Sequence, residues 1–326
     1  MLRCSAPDLN FSLSSGRVKC SDYSAYFVTG SANGNRLFKE QFKSLEDMSE
    51  QNQMAEGLQC TIALNLENRR KNIYYDVLPY DTRRIVLKKL PGETQDYINA
   101  SPIHRIIMSS EGHVQLDFEQ IDYICAQAPL HTTCGDFWRM IVENNVGTIV
   151  MLTRLTENDG SACARYWPER LNEQTMYTSG SMGFMVKLKK ELLQIGYDER
   201  EIIVESDQPG DDKRNLRVLQ LEMHGWFDMG VPNVAQFKEV LYKYKELKNV
   251  SQPGSRTLVH CRGGIGRSGT FVVADILRRQ LENKCDAIDL PGIILQLRRC
   301  RQGMVESQLQ YIFLHEFANS LIAQSN

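Results

Sequence analysis

The stretch LVHCRGGIGRSGTF, residues 258–271, changes its periodicity in the middle. Up to Cys261, RTLVHC is a short apolar run preceded by a Pro-Gly turn, the pattern of a buried strand. From Arg267, RSGTFVVADILRRQL reads as a helix. CRGGIGR is then the turn between them, and a strand feeding a helix through a tight turn belongs to α/β architecture.

The alternation continues in both directions. DFWRMIVENN from Asp136 reads as a helix and VGTIVMLTRL from Val146 as a buried strand. FMVKLKKELLQIGY, REIIVESD and LRVLQLEMHGW read as further strands divided by Gly, Asp and Pro turns. VAQFKEVLYKYKELKN and the segment near ESQLQYIFLHEFANSLIAQ read as helices. Phe38, Phe42 and Leu45 lie at i, i+4 and i+7, so a helix is expected to open the compact domain at Asn35. Residues 1–34, rich in Ser and Gly and without sustained periodicity, read as an N-terminal extension, either flexible or carrying a targeting signal. With no internal repeat and no linker-like break, residues 35–326 read as one large α/β domain.

Composition narrows the function. The 326 residues are 42% hydrophobic and 24% charged, proportions that exclude a disordered or collagen-like chain. A net charge of -2 argues against a nucleic-acid partner held by a broad basic face, so any phosphate recognition is local. Nine cysteines without a CxxC pair or framework spacing read as reduced thiols of a cytosol-like compartment, not as zinc ligands or disulfides. No run reaches the about 20 apolar residues that a bilayer span requires, and the N-terminus lacks an apolar signal-type stretch. A soluble, cytoplasmic protein with no integral membrane segment is expected.

The quoted turn has the makings of a reactive site. Backbone N–H groups of such a turn, with those at the helix N-terminus, converge on one point and favour an anion there. Gly263, Gly264 and Gly266 let the backbone curl without Cβ clashes. Cys261 faces the same positive field, which favours a thiolate, and Arg267 can grip two phosphate oxygens with its fork of donors. An isolated Cys is usually packing. Arg267 six positions on, followed by Ser268, argues for phosphoryl transfer to sulfur and a phosphocysteine that water later removes. The scheme needs no metal and no cofactor.

HCRGGIGRSG resembles the HCx5R[ST] signature of protein tyrosine phosphatases, in the tyrosine-specific branch. KNIYYDVLPYDTRRIVL from Lys71 resembles that branch's phosphotyrosine-recognition loop. DYINAS, YICAQAPLHTTCGDFWRMI, ARYWPE and RQGMVESQLQYIFLHEF resemble further family blocks in the expected order, covering roughly residues 36–322. The resemblance implies a single α/β domain with a highly twisted mixed β-sheet flanked by helices, acting in signalling on phosphotyrosine-containing proteins.

It also implies roles, residue by residue. Cys261 corresponds to the nucleophile, Arg267 to the phosphate clamp, Ser268 to the hydroxyl that stabilises the departing thiolate and His260 to a residue that tunes the thiol. Arg262, Gly263, Gly264, Ile265 and Gly266 supply the loop around the phosphate. HGWFDMGVP resembles the movable acid loop, with Asp228 as general acid and Trp226 as hinge anchor. Tyr74 corresponds to the aromatic wall of a pocket too deep for phosphoserine, and Asp76 to the acceptor of a bound peptide's N–H groups. Glu157 corresponds to the carboxylate that holds the signature arginine, and Gln310 to a glutamine that holds the hydrolytic water.

Four departures from the family pattern, the last a pair of residues, stand out. Phe227 replaces the proline of Trp-Pro-Asp, which alters the balance of open and closed loop. Glu306 replaces the first water-positioning glutamine; an ionised carboxylate only accepts hydrogen bonds and repels phosphate. Ala162 replaces a lysine that reaches toward the acid loop, and Arg262-Gly263 replaces Ser-Ala. These departures motivate a second expectation, a catalytically impaired phosphotyrosine-binding pseudophosphatase. A phosphoinositide or dual-specificity activity is disfavoured by Tyr74. Were the source a pathogen or symbiont, the acid-poor residues 1–34 would suit a secreted effector delivered into a host cell.

Overall fold

In a computed structural model of the chain, which describes residues 16–89, 92, 94–109, 113–157, 160–206, 214–228 and 230–325, the apolar runs assemble into an eight-stranded sheet. The elements in chain order are β1 (Arg17–Lys19), α1 (Tyr23–Ala55), α2 (Thr61–Leu64), α3 (Leu66–Arg69), β2 (Ala100–Met108), β3 (Val114–Ala126), α4 (Cys134–Glu143) and β4 (Val146–Met151). There follow β5 (Thr156–Glu157), β6 (Gly160–Ser161), β7 (Gln174–Ser179), β8 (Met182–Leu193), β9 (Tyr197–Ser206), β10 (Arg214–Met223) and α5 (Val234–Val250). Last come β11 (Arg256–His260), α6 (Gly266–Glu282), β12 (Ala287–Asp289), α7 (Leu290–Cys300) and α8 (Gln308–Ser325). No described helix is long and apolar enough to cross a membrane.

Strand order in the large sheet is β2-β3-β11-β4-β10-β9-β8-β7. The neighbours β3, β11, β4 and β10 pair in parallel, and the outer pairs are antiparallel. β4 is buried at every residue, as a parallel strand with both faces covered must be. Successive side chains of a strand point to opposite faces, and the sheet therefore divides two cores. Cys125, Val150 and Val259 join the core under α1 and α5–α8, whereas their neighbours Ile124, Ile149 and Leu258 join the core under α4. Clamped on both sides, β11 delivers Cys261 to the carboxyl edge of the parallel strands, where open α/β sheets bind ligands.

The N-terminal region differs from the expectation that the compact domain opens at Asn35. β1 pairs antiparallel with β12, and α1 begins at Tyr23. Its helical geometry breaks at Ala32–Asn35, where Asn33, Gly34 and Asn35 all take positive φ, a conformation that Asn and Gly tolerate best. The two arms of α1 pack so closely that a Cβ on Gly30 would lie 2.1 Å from the Phe38 ring. Tyr23 is buried with its hydroxyl 2.9 Å from Nδ1 of His315, and Phe38 stacks on the same imidazole at 4.1 Å. The first arm is too short to show a helical period among its serines and glycines, so it read as extension. Residues 1–15 of the expected extension lie outside the described residues.

Replacing Tyr23 tests how far this arm belongs to the core. Tyr23→Ala is expected to lower the unfolding free energy by about 3–5 kcal/mol in a urea titration, the range for buried aromatic-to-alanine changes. A loss under about 1 kcal/mol would show an arm that merely rests on the domain.

Candidate active site

The loop from Cys261 to Gly266 owes its shape to one glycine and one arginine. Gly264 takes φ +75°, and a Cβ there would stand 2.2 Å from the Ala126 carbonyl oxygen, so only glycine fits. Gly263 and Gly266 do not adopt positive φ. They make room for neighbours. A Cβ on Gly263 would meet the Tyr74 ring at 3.4 Å, and one on Gly266 would lie 2.5 Å from Glu306 Oε2 and 3.0 Å from Gln310 Nε2.

Arg301, fully buried, donates from Nε to the Gly264 carbonyl (2.9 Å) and from Nη2 to the Gly263 carbonyl (3.0 Å). The same guanidinium reaches Asn99 Oδ1 at 2.7 Å and Ser101 Oγ at 3.3 Å. The Arg262 carbonyl accepts from Ala128 N, and the Ile265 carbonyl from Gly269 N and Val305 N. With these carbonyls committed to the scaffold, the Gly264 N–H turns inward and donates to Cys261 Sγ at 3.1 Å. Cys261 as a whole is 3% exposed.

Arg267 enters from the first turn of α6. Its guanidinium makes a two-pronged ion pair with Glu157, which the β5–β6 hairpin holds out, and it also donates to the Trp226 carbonyl at 3.2 Å. Burial pushes the Glu157 carboxyl up, but the Arg267 hydrogen bond and charge, with a hydrogen bond from Thr153, outweigh it and hold the group below its ordinary range. Nη2 of Arg267 also reaches Asp228 Oδ1 at 3.1 Å. The loop that carries Asp228 thus lies over the Cys261 loop, anchored by Trp226, whose Nε1 donates to the Gly230 carbonyl and whose ring meets Phe237 edge-on. Phe227 points away, 68% exposed.

His260 is fully buried. Gln220 Nε2 donates to the Tyr166 hydroxyl at 2.6 Å, which leaves that hydroxyl to donate to His260 Nε2 at 3.0 Å. Nδ1 then carries the proton and faces the Cys261 carbonyl at 3.3 Å. Burial drives the imidazole down to about 4, Arg267 adds to the fall, and the Cys261 carbonyl opposes it. His260 is therefore neutral and braces the backbone at Cys261.

Tyr74 flanks the mouth with the Arg262 guanidinium 5.6 Å from its ring centre. Asp76 is exposed on the same loop, and its carbonyl accepts from Gln302. Ser268 Oγ is buried and makes no hydrogen bond within the described protein. Gln310 is buried at the start of α8, its Oε1 accepting from Glu306 N at 3.0 Å. Ala162 is buried behind β6. Cys261, Arg267, Asp228, Glu157, Glu306 and Gln310 thus gather around one loop, with Tyr74 at its rim. Arg301, Asn99, Tyr166 and Gln220 went unread, since a lone polar residue shows its partner only in three dimensions.

A sequence model described as "Protein-tyrosine phosphatase" matches residues 68–320. The chain belongs to the protein tyrosine phosphatase family. Its mixed sheet flanked by helices is that family's α/β fold. The chain is 32% identical to the receptor-type tyrosine-protein phosphatase eta of Gallus gallus over 94% of its own length and 20% of that protein. It is 32% identical to the human receptor-type tyrosine-protein phosphatase alpha over 87% of this chain and 33% of that one. Against the Mus musculus tyrosine-protein phosphatase non-receptor type 20 the figures are 33%, 85% and 60%. The chain therefore spans about a fifth of the receptor eta sequence it matches.

Arg301 offers the sharpest test of how this phosphatase-family loop is built. Arg301→Ala strands two loop carbonyls and Asn99, each costing about 1–3 kcal/mol. Affinity for tungstate, measured calorimetrically, is expected to fall about tenfold or more, tenfold being about 1.4 kcal/mol. Unchanged tungstate affinity in a folded variant would reduce Arg301 to a structural brace.

Proposed function

We propose that the chain hydrolyses phosphotyrosine in proteins through a phosphocysteine intermediate. The observation that carries this reading is the convergence on Cys261 Sγ. The Gly264 N–H points at the sulfur, and the Arg267 guanidinium stands between the Glu157 and Asp228 carboxyls above it. In the first step the Cys261 thiolate attacks phosphorus and the P–O bond to the phenol breaks. Asp228 gives its proton to the leaving oxygen. Arg267 and the loop N–H groups carry the charge on the three phosphoryl oxygens. In the second step water attacks phosphorus, its proton passes to Asp228 and the S–P electron pair returns to Cys261. Ser268 Oγ, buried one position after the clamp and without a hydrogen-bond partner of its own among the described residues, is the hydroxyl we assign to stabilising that thiolate as it departs. Tyr74 at the rim and Cys261 on the floor favour a long aromatic phosphate ester over a short serine one.

A binding module with stalled turnover is the second reading. It is favoured by Glu306 over Gly266, where a negative charge opposes phosphate, and by Phe227 on the acid loop. Cytoplasmic action belongs to the proposal and rests on a site thiol that must stay reduced.

Phosphate release from a phosphotyrosine peptide decides between them. Cys261→Ser is expected to abolish release, and Asp228→Ala to lower it by about 10²–10⁴-fold, the usual worth of a positioned acid. Vanadate should inhibit strongly and chelators should not. Release that survives Cys261→Ser would sink the phosphocysteine scheme; peptide binding without release would favour the binding module.

A further inference from the structure

Glu306 borders the loop that carries Cys261. Its Oε2 overhangs Gly266, the first residue of α6, whose N-terminal N–H groups face the anion site. Gln310 Nε2 overhangs the same spot, and its Oε1 is tied down by the N–H groups of Glu306 and Ser307. The backbone that aims Glu306 is strongly fixed. Val305, just before it, takes φ +61°, an unfavourable conformation for a β-branched residue. It is held there by Arg298, which donates to the Met304 and Val305 carbonyls at 3.0 and 2.8 Å, and by a bond from its own N–H to the Ile265 carbonyl. Strain held this firmly beside a reactive loop points to a side chain whose position matters.

The charges around Glu306 decide its protonation. Asp228 faces it from the acid loop, Asp76 from the recognition loop and Arg267 from α6. Burial raises the carboxyl above its ordinary range, Asp228 and Asp76 raise it further, and Arg267 opposes them without prevailing. A phosphoryl group on Cys261 would add like charge in the same direction.

We propose that Glu306 serves phosphocysteine hydrolysis as a neutral acid: its O–H donates to a phosphoryl oxygen, its C=O accepts from the attacking water, and its ionised form blocks the step. The inference rests on the reaction proposed above and names the group that regulates its second half. Water attacks phosphorus, the S–P bond breaks toward Cys261, the water proton goes to Asp228, and Glu306 keeps its own. A neutral carboxyl offers one donor and one acceptor, whereas the ionised form offers acceptors only. Glu306 is protonated below its raised transition and ionised above it, so hydrolysis is fast on the acidic side and lost as pH rises. The first step does not use this group.

Rapid-quench kinetics with a phosphotyrosine peptide from pH 5 to 8 separates the two steps. In the wild-type chain, steady-state turnover is expected to fall about tenfold per pH unit above the Glu306 transition, as a single proton requires. A burst of released phenol near one per site should appear as it falls. Glu306→Gln, which offers donor and acceptor at every pH, should keep phosphoryl transfer, lose that fall and raise turnover at neutral pH about tenfold or more. Glu306→Ala should also lose the fall, without matching the Gln variant's rate. A Gln variant with the wild-type profile, or one that loses phosphoryl transfer itself, overturns the assignment. No Cys261-dependent release in the wild-type chain would instead overturn the phosphatase reading beneath it.

Discussion

The site depends on where four consecutive carbonyls point. A tight turn of five residues between a buried strand and a buried helix must pair its C=O groups with something, because unpaired buried carbonyls are costly. Arg301 supplies donors for two of them, Ala128 N for a third, and the Gly269 and Val305 N–H groups for the fourth. Once those bonds form, the N–H side of the turn is left facing Cys261. Burying the arginine is itself unfavourable, and burial lowers its affinity for the proton. Four acceptors around one guanidinium offset this, and the buried positive charge lies behind the Cys261 loop.

The same economy links the sheet to the site. β11 is held between β3 and β4, so Cys261 has little freedom before it leaves the strand. On the far side, the N-terminal arms grip α8: Tyr26 and Tyr311 both bond to Gln41, and Tyr311 follows the Gln310 that overhangs Gly266. Residues far from Cys261 in sequence thus set the position of the groups above it. The loop that carries Asp228 is only partly enclosed: Trp226 is buried, while the Asp228 side chain is 42% exposed.

Much of this was legible beforehand, and the reasons are physical. Strands such as Val146–Met151 announce themselves by continuous apolar residues because both faces are covered. Cys261 and Arg267 stand out because the spacing between them is fixed by the turn itself. The first arm of α1 did not show, since it is short and its Gly30 and Gly34 serve a break and a close contact that no period reveals. Nor did Arg301, because a buried arginine and a solvated one look alike until the carbonyls it serves are in place. All three glycines were expected to keep the curl free of Cβ clashes; only Gly264 also takes a positive φ, while Gly263 and Gly266 are small for the sake of Tyr74, Glu306 and Gln310.

The central claim is that phosphate passes through the sulfur of Cys261. The most direct measurement is mass spectrometry of the chain quenched in acid soon after mixing with a phosphotyrosine peptide. One phosphoryl group on the fragment that contains Cys261, absent from the Cys261→Ser protein, is the expected result. Phosphate release with Cys261 unmodified at every quench time, or a phosphoryl group on another residue, would contradict it.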